Sequence, residues 1–247
     1  MRRRIRRRPA LILPGGPIAF PDPEESDDDG LLAVGGDLSI ERLMHAYGEG
    51  IFPWYDEGVP PLWWSPHPRA VIESDGLHVS KSLRRVLRQR RFRVTFDQDF
   101  EGVMRACGRR EAGTWIIPEM IDAYLKLHRT GLAHSFEVWS GTELAGGLYG
   151  VICGTLFAAE SMFHTHTDAS KVALAYAVRS LFAAGIELFD VQLLTSHLAS
   201  MGAVELPRPR YLERVRQASK RPPPALPVEL RWWASDEDPD GQPLPLH

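Results

Sequence analysis

A carboxylate and an amide stand two residues apart at the end of an apolar run, as Asp190 and Gln192 in the segment 186–192. Residues i and i+2 of a strand project from the same face. Such a pair could hold and orient a proton donor, for example an attacking amine. The alternative is a strand end whose side chains satisfy loop backbone, and the motif alone leaves both interpretations open.

A second carboxylate, Glu160, follows the apolar run 156–159. If Glu160 shared a pocket with Asp190, the two carboxylates could recognise a cationic group. A salt bridge is the simpler alternative for an isolated acid at this position.

Three histidines, His164, His166 and His197, raise the question of a metal site. No acidic third ligand stands at helical spacing and no HExxH motif occurs, so we expect no metal. The glycine patterns of phosphate-binding loops and the GxSxG turn of serine hydrolases are also absent from the sequence. We therefore expect no cofactor.

Residues 81–93 carry seven positive charges and no negative one. Helical spacing predicts that four of them lie on one exposed stripe: Arg84, Arg85, Arg88 and Arg91. The guanidinium fork of arginine suits phosphate, so an RNA or DNA backbone is the natural partner. A membrane surface and an ordinary solvated helix face are the alternatives.

The elements that would position these residues follow from periodicity and capping. Ser39 is expected to begin a helix, whereas the aromatic, proline-rich segment 50–69 has too many prolines for central strands or helices. Strands are predicted at 70–73, 92–96, 135–140, 143–152, 155–161 and 186–192, and helices after Ser80 and at 100–107, 118–131, 168–184, 196–201 and 210–219. Mixed elements with mostly antiparallel connections indicate an α+β fold.

The composition excludes several classes of protein. The chain has 247 residues, a formal net charge of -3 and two cysteines, Cys107 and Cys153, so a disulfide scaffold is not expected and the cytoplasm is the default location. No apolar run approaches the roughly 20 residues that span a bilayer. The arginine-rich start is followed by a break at Pro14, too soon for a signal peptide.

Several segments, taken in order, resemble the leucyl/phenylalanyl-tRNA protein transferases. They are Gly30-LLAVGGDLS, Gly50-IFPWY, Trp63-WSPHPRA, Gly113-TWI, Ala133-HSFEVW, Gly146-GLYGV, Glu160-SMF, Ala169-SK, Asp190-VQ and His197-LASMGA. Each segment alone is weakly specific, but the ordered set from about residue 18 to residue 211 is highly specific.

The resemblance implies an enzyme that moves Leu or Phe, with Met as a further candidate, from charged tRNA to the N-terminal Arg or Lys of a protein. The product would be marked for N-end rule degradation. It also implies a small N-terminal domain, 1–68, and a GNAT-like domain, 69–221, with a mixed, mostly antiparallel sheet. The proline-rich tail is 222–247. We expect a cytoplasmic monomer that does not bind a membrane.

The resemblance also assigns roles to residues. Asp190 and Gln192 become the catalytic pair, and the implied substrate-binding residues are Glu160, Trp54, Trp115, Leu148, Ser161 and Met162. Under this hypothesis Asp190 fixes Gln192, whose side-chain carbonyl accepts a hydrogen bond from the attacking amine. Asp190 then assists proton removal directly or through that contact.

Two other functions stay open at this point. A GNAT-type acetyltransferase would share much of the fold, but the sequence has no R/QxxGxG/A loop for an acyl-CoA pyrophosphate. A non-catalytic RNA-binding protein would explain the arginines and exposed aromatic residues. It would leave Glu160, Asp190 and Gln192 without a purpose.

Overall fold

The computed structural model describes residues 8–27, 29–109, 114–226 and 230. Its strands are β1 (Ala10–Ile12), β2 (Leu31–Gly35), β3 (Phe52–Pro53), β4 (Leu62–Trp64), β5 (Arg69–Ile72), β6 (Arg93–Phe96), β7 (Ala133–Ser140), β8 (Glu143–Cys153), β9 (Leu156–His164), β10 (Leu188–Gln192) and β11 (Val204–Leu206). Its α-helices are α1 (Ile40–Gly48), α2 (Lys81–Arg88), α3 (Phe100–Gly108), α4 (Pro118–Arg129), α5 (Ala169–Ala184), α6 (Ser196–Ser200) and α7 (Arg208–Ala218).

Local capping residues set several helix ends. The side chain of Ser39 accepts a hydrogen bond from the backbone of Arg42 at the start of α1, and Ser80 caps α2 in the same way through Leu83. Such caps satisfy backbone N–H groups that have no partner inside the helix. At the other end of α5, Gly185 adopts a φ of 108°, a left-handed conformation that glycine tolerates.

The larger sheet has seven strands in the order β11-β5-β10-β9-β8-β7-β6. Only the β9 and β10 pair is parallel, and the other neighbours are antiparallel. The prediction of an α+β fold with a mixed sheet is confirmed. The finer assignment to a GNAT-like fold stays a prediction.

A smaller sheet precedes it, in the order β1-β2-β4-β3. Here the expectation that the segment 50–69 contains no central strand is wrong, because β4 pairs with both β2 and β3. The three residues of β4 contain no proline and lie between Pro61 and Pro66, so every backbone N–H of the strand can enter the ladder. The chain passes from the smaller sheet to the larger sheet between residues 64 and 69. A domain boundary near residue 69 stays a prediction.

The core lies on both faces of the larger sheet. Apolar residues of α3 and α4 cover one face, and those of α2 and α5 cover the other. A glycine pair in β8 allows this close approach: a Cβ at Gly146 would lie 2.7 Å from the Cβ of Ala169, and one at Gly147 would lie 2.9 Å from Cγ2 of Val103. The pair therefore serves helix packing.

The first of these apolar clusters continues without a break into the smaller sheet, where it includes Leu32 and the fully buried Trp63. One core therefore connects the two sheets. In the part of the chain that the structure describes, no helix is long and apolar enough to cross a membrane.

Candidate active site

A cavity of about 290 Å³ opens where β9 and β10 separate. The parallel pairing of these strands ends with Asp190 opposite Ala158, and the residues that follow on both strands line the cavity. Seven of the predicted site residues are in its wall: Trp54, Trp115, Leu148, Glu160, Ser161, Met162 and Gln192. The tertiary structure therefore gathers most of the predicted set in one place.

Irregularities in both strands direct the polar side chains. On β9 the register passes from Gly150 opposite Ala159 to Tyr149 opposite Ser161, which leaves Glu160 as the extra residue of a bulge. On β10 the register against β5 shifts between Asp190 and Gln192. Bulges re-aim side chains next to functional sites, and here they turn Glu160 and Gln192 toward the cavity.

Two tyrosines hold the carboxylate of Glu160. The hydroxyl of Tyr47 donates to Oε1 at 2.8 Å, and that of Tyr124 donates to Oε2 at 3.2 Å. The two hydroxyls also contact each other. Tyr47 comes from α1 and Tyr124 from α4, so the carboxylate is fixed by helices on either side of residue 69.

The surroundings of Glu160 set its protonation. Burial raises its pKa to about 7, although the hydrogen bonds from the tyrosines oppose this, and Asp190 and Arg69 act in opposite directions. Burial also raises the pKa of Tyr47 and Tyr124 well above the ordinary value, with the nearby carboxylate adding to the effect. Both phenols are therefore neutral donors at neutral pH.

Asp190 lies behind the cavity wall, with 1 % of its surface exposed. Arg69 binds it with two parallel hydrogen bonds, Nε to Oδ1 at 2.9 Å and Nη2 to Oδ2 at 2.6 Å. The hydroxyl of Tyr211 donates to Oδ2 at 2.8 Å. Asp190 does not line the cavity beside Glu160, so the condition for two carboxylates that share a pocket is not met, and a guanidinium compensates the charge of Asp190.

Arg69 is held on all sides. Its guanidinium lies 4.7 Å from the centroid of the Phe52 ring and 4.6 Å from that of Tyr211, and Nη1 donates to the carbonyl of Gly50. Burial alone would lower the pKa of Arg69, but Asp190 raises it, so the group stays charged. Arg69 thereby ties the aromatic segment, β5 and α7 to Asp190.

Gln192 is fixed through its backbone. Its N–H donates to Oδ1 of Asp190 at 2.9 Å, and the residue adopts a φ of 56° in the left-handed region. Because the strand is interrupted here, Asp190 and Gln192 do not project together as a regular strand would require. Among the described residues, the side-chain Nε2 of Gln192 is buried without a hydrogen-bond partner. A buried polar group without a partner requires an explanation, and Gln192 is in the lining of the cavity.

The rest of the cavity is mostly apolar. Leu148 is fully buried at its base, and Trp54 stands at its edge with 42 % of its surface exposed. The indole of Trp64 donates to the carbonyl of Trp54 at 2.7 Å, which steadies the edge. A small apolar group with a polar neighbour fits this wall.

The predicted arginine stripe is divided by the end of a helix. Arg84, Arg85 and Arg88 belong to α2, with Arg84 half-buried and the other two exposed. Arg91 is exposed beyond the helix, after Arg90 at a φ of 47°, and its guanidinium lies 5.3 Å from the ring of Phe92. The stripe is therefore a helix face with one further arginine on the following turn.

The histidines are distributed over separate contacts. His164 Nδ1 is 3.3 Å from the hydroxyl of Ser170, and His166 Nδ1 is 3.1 Å from that of Thr165. Within the described ranges, no three His, Cys, Asp or Glu side chains are grouped as a metal site requires. Burial raises the pKa of the Cys153 thiol to about 11, which disfavours a thiolate nucleophile.

Comparison with known proteins shows the family to which this chain belongs. A family profile described as "Leucyl/phenylalanyl-tRNA protein transferase" matches residues 71–216, and the profile of its N-terminal domain matches residues 36–67. The chain belongs to the leucyl/phenylalanyl-tRNA protein transferase family. The resemblance on the quoted segments is thereby confirmed, and so is the class of enzyme, a transferase.

Relatives with the name leucyl/phenylalanyl-tRNA protein transferase align over most of both chains. The protein from Anaeromyxobacter sp. (strain Fw109-5) is 56% identical over 83% of this chain and 89% of its own. That from Anaeromyxobacter sp. (strain K) is 54% identical over 87% and 93%, respectively. A more distant source, Pseudoalteromonas atlantica (strain T6c / ATCC BAA-1087), gives 51% identity over 83% and 90%.

Sequence reasoning missed four residues that hold Glu160 or Asp190: Arg69, Tyr47, Tyr124 and Tyr211. Helical spacing predicts that Tyr47 and Tyr124 are buried, but it does not predict what their hydroxyl groups contact. Arg69 belongs to the segment Trp63-WSPHPRA. Its position after two prolines does not indicate that its partner, Asp190, lies 121 residues away in the sequence.

Proposed function

We propose that this protein transfers leucine or phenylalanine, with methionine as a further candidate, from charged tRNA to the N-terminal Arg or Lys of acceptor proteins in the cytoplasm. The product would enter N-end rule degradation. The observation that carries this proposal is the cavity itself, which combines an apolar wall with one inward carboxylate and one unpartnered amide. The expected GNAT-like architecture and monomeric state belong to the same proposal.

The apolar wall is suited to the donor amino acid. Leu148 is γ-branched and Met162 is unbranched and flexible. The two residues lie opposite each other in the register of the neighbouring strands β8 and β9. Such a wall would accept unbranched or γ-branched side chains and disfavour Val and Ile by shape. Each methylene group is worth about 1–3 kcal/mol in such a pocket. Trp54 and Trp115 would then lie against the terminal adenosine or its aminoacyl group.

Glu160 is suited to the acceptor. A protein with N-terminal Arg or Lys brings a cationic side chain, and an ionised Glu160 would attract it. A pKa of about 7 means that the approach of a cation would shift Glu160 further toward its charged form. Tyr47 and Tyr124 would keep the carboxylate oriented while it ionises.

The chemical step needs positioning more than activation, because an aminoacyl ester is already reactive. The α-amino nitrogen attacks the ester carbonyl, an amide C–N bond forms, and the ester C–O bond breaks. The amine loses a proton, and the released ribose hydroxyl of the tRNA gains one. Gln192 would accept a hydrogen bond from the amine through its side-chain carbonyl and donate through Nε2, which lacks a partner in the described structure.

The contacts of Asp190 support a positioning role in this scheme. Arg69 and Tyr211 occupy its oxygens, and its contact to Gln192 reaches the backbone N–H. Both carboxylate oxygens of Asp190 are therefore engaged by groups of the protein. Asp190 would therefore act through the orientation of Gln192.

The arginines of α2, together with Arg91 on the following turn, would bind acceptor-stem phosphates. Phosphate contacts fix the register of a nucleic acid without reading its sequence. Arg84, Arg85, Arg88 and Arg91 would therefore add affinity for any tRNA, and the amino acid would provide the specificity.

Transfer of radiolabelled Leu or Phe from charged tRNA to two peptides, one beginning with Arg and one with Ala, tests the proposal. The assay contains no ATP. We expect label on the Arg peptide and a much lower signal on the Ala peptide. Tight binding of charged tRNA without transfer to either peptide would support a non-catalytic RNA-binding protein instead, the function that the arginine stripe would then explain.

A further inference from the structure

A histidine and a lysine line two neighbouring spaces on this face of the molecule. His197 of α6 lines the cavity, and both Lys171 of α5 and His164 at the end of β9 are close enough to influence it. Burial lowers the pKa of His197, and the nearby Lys171 and His164 lower it further. His197 is therefore a neutral imidazole at neutral pH, whose N–H can donate to an anion, while Lys171 supplies the positive charge.

A second depression adjoins the cavity across α6. It has a volume of about 470 Å³ and is lined by His78, Ser80, Lys171, Ala199, Ser200 and Met201. The short helix α6 contributes His197 and Leu198 to the cavity and the next residues to this depression. Helix α6 therefore forms the junction of the two spaces, with His197 lining the cavity and Lys171 lining the depression.

Lys171 and His197 both keep hydrogen-bonding capacity that their contacts with the described residues do not use. Lys171 Nζ donates to Oδ1 of Asp168 at 3.2 Å, and an ammonium group has three donors. His197 Nε2 is buried with no hydrogen-bond partner among the described residues. Asp168 is the carboxylate that faces Lys171, and its contact holds the ammonium in place beside the groove.

We propose that Lys171 and His197 form a phosphate subsite for the phosphodiester on the 5′ side of the terminal adenosine. This inference rests on the proposed function. If the ester on the terminal ribose reacts beside Gln192, the nearest anion of the tRNA is the phosphate on the same nucleoside, a few bonds away. The depression beyond Lys171 then receives the preceding nucleotide, with the hydroxyls of Ser80 and Ser200 in its wall.

Titration calorimetry with AMP and with adenosine tests the subsite without any transfer step. We expect the full chain to bind AMP about tenfold more tightly than adenosine, because a hydrogen bond to a charged group contributes on that scale. Lys171→Met should reduce this ratio to near one, and Lys171→Arg should restore most of it. Arg105→Gln, an exposed arginine of α3, is the matched control and should keep the ratio.

Transfer kinetics provide a second readout. The donors are adenosine and 5′-phosphoadenosine, each esterified with phenylalanine on the ribose, and the acceptor is an Arg peptide. The ratio of kcat/KM for the two donors should fall in Lys171→Met and in His197→Asn, with thermal unfolding recorded to exclude misfolded variants. A wild-type binding ratio near one, or an unchanged ratio in Lys171→Met, would overturn the subsite. Absence of transfer from charged tRNA by the wild type, with the AMP preference intact, would reject the proposed function alone.

Discussion

At the scale of single residues, Asp190 shows how a buried carboxylate can determine the position of another group. Its oxygens accept from Arg69, Tyr211 and the backbone of Gln192, and almost none of its surface is exposed. A buried charge is tolerated when partners surround it, and removal of one partner leaves the other charge uncompensated. The network therefore links stability to the placement of Gln192.

Asp190→Asn should lower both stability and transfer. We expect the free energy of unfolding to fall by about 3–5 kcal/mol, because Arg69 would stay buried without a counter-charge. Urea unfolding measures the first effect and the tRNA transfer assay the second. Gln192→Ala is the matched variant, which should lose transfer while its unfolding free energy changes by less than about 1 kcal/mol. Lost transfer at unchanged stability in Asp190→Asn would indicate a direct role in proton transfer.

Glu160 makes stability depend on pH. Its pKa is about 7 in the folded protein against an ordinary value of 4.5, so the folded state binds more protons between these values. The free energy of unfolding should therefore decrease as pH rises from about 5 to 8, by up to about 3 kcal/mol from this group. In Glu160→Gln this decrease should be absent. Urea unfolding at both pH values compares the two proteins, and equal pH dependence would show that Glu160 ionises normally.

At the scale of elements, α2 combines an inward apolar face with an outward basic one. Leu83, Val86 and Leu87 are buried, while Arg85 and Arg88 are exposed. Because packing uses the first set, the second can change without loss of the core. The helix can thus be tested for nucleic-acid binding independently of the fold.

Arg85→Gln and Arg88→Gln together should weaken tRNA binding and flatten its salt dependence. Each lost phosphate contact reduces the slope of log affinity against log salt by about one. Filter binding of charged tRNA over a range of salt concentrations measures the slope. Arg105→Gln removes an exposed charge from α3 and should leave the slope as it is. A double variant with the wild-type slope would make this face of α2 an ordinary solvated surface.

At the scale of the whole molecule, the two sheets share a core and a polar network. Trp63 of the smaller sheet belongs to the same apolar cluster as Tyr149 and Val151 of the larger one. Arg69 connects the carbonyl of Gly50 to Asp190, and Tyr47 of α1 reaches Glu160. The site therefore depends on segments from both sides of residue 69.

We expect unfolding to be a single cooperative transition. The two sheets cannot separate without exposing the shared cluster, breaking the hydrogen bond from Arg69 to Gly50 and removing Tyr47 from Glu160. Tryptophan emission, to which buried Trp63 contributes together with six other tryptophans, should change at the same urea concentration as the far-ultraviolet circular dichroism signal. Two separate midpoints would show that 1–68 and 69–221 unfold as independent domains.

Local periodicity and capping residues in the sequence are sufficient to predict several of the helices. The spacing of apolar residues around Ser39, Ser80 and Gly185 is sufficient for α1, α2 and the end of α5, because these signals lie within a few residues. The α+β class and the family also followed from residues in order along the chain. The site residues that the resemblance implies include seven that line the cavity.

The tertiary structure alone decided how those residues meet. The short strands β2 and β4 are stabilised by their neighbours in the sheet, so local signals do not reveal them. The partners of Asp190 include Arg69, which lies 121 residues away in the sequence, and Tyr211, which lies 21 residues away. The two bulges that orient Glu160 and Gln192 depend on strand register, which is set by pairing between distant segments. Residue types therefore suggest the chemistry, while long-range packing places the groups that we propose perform it.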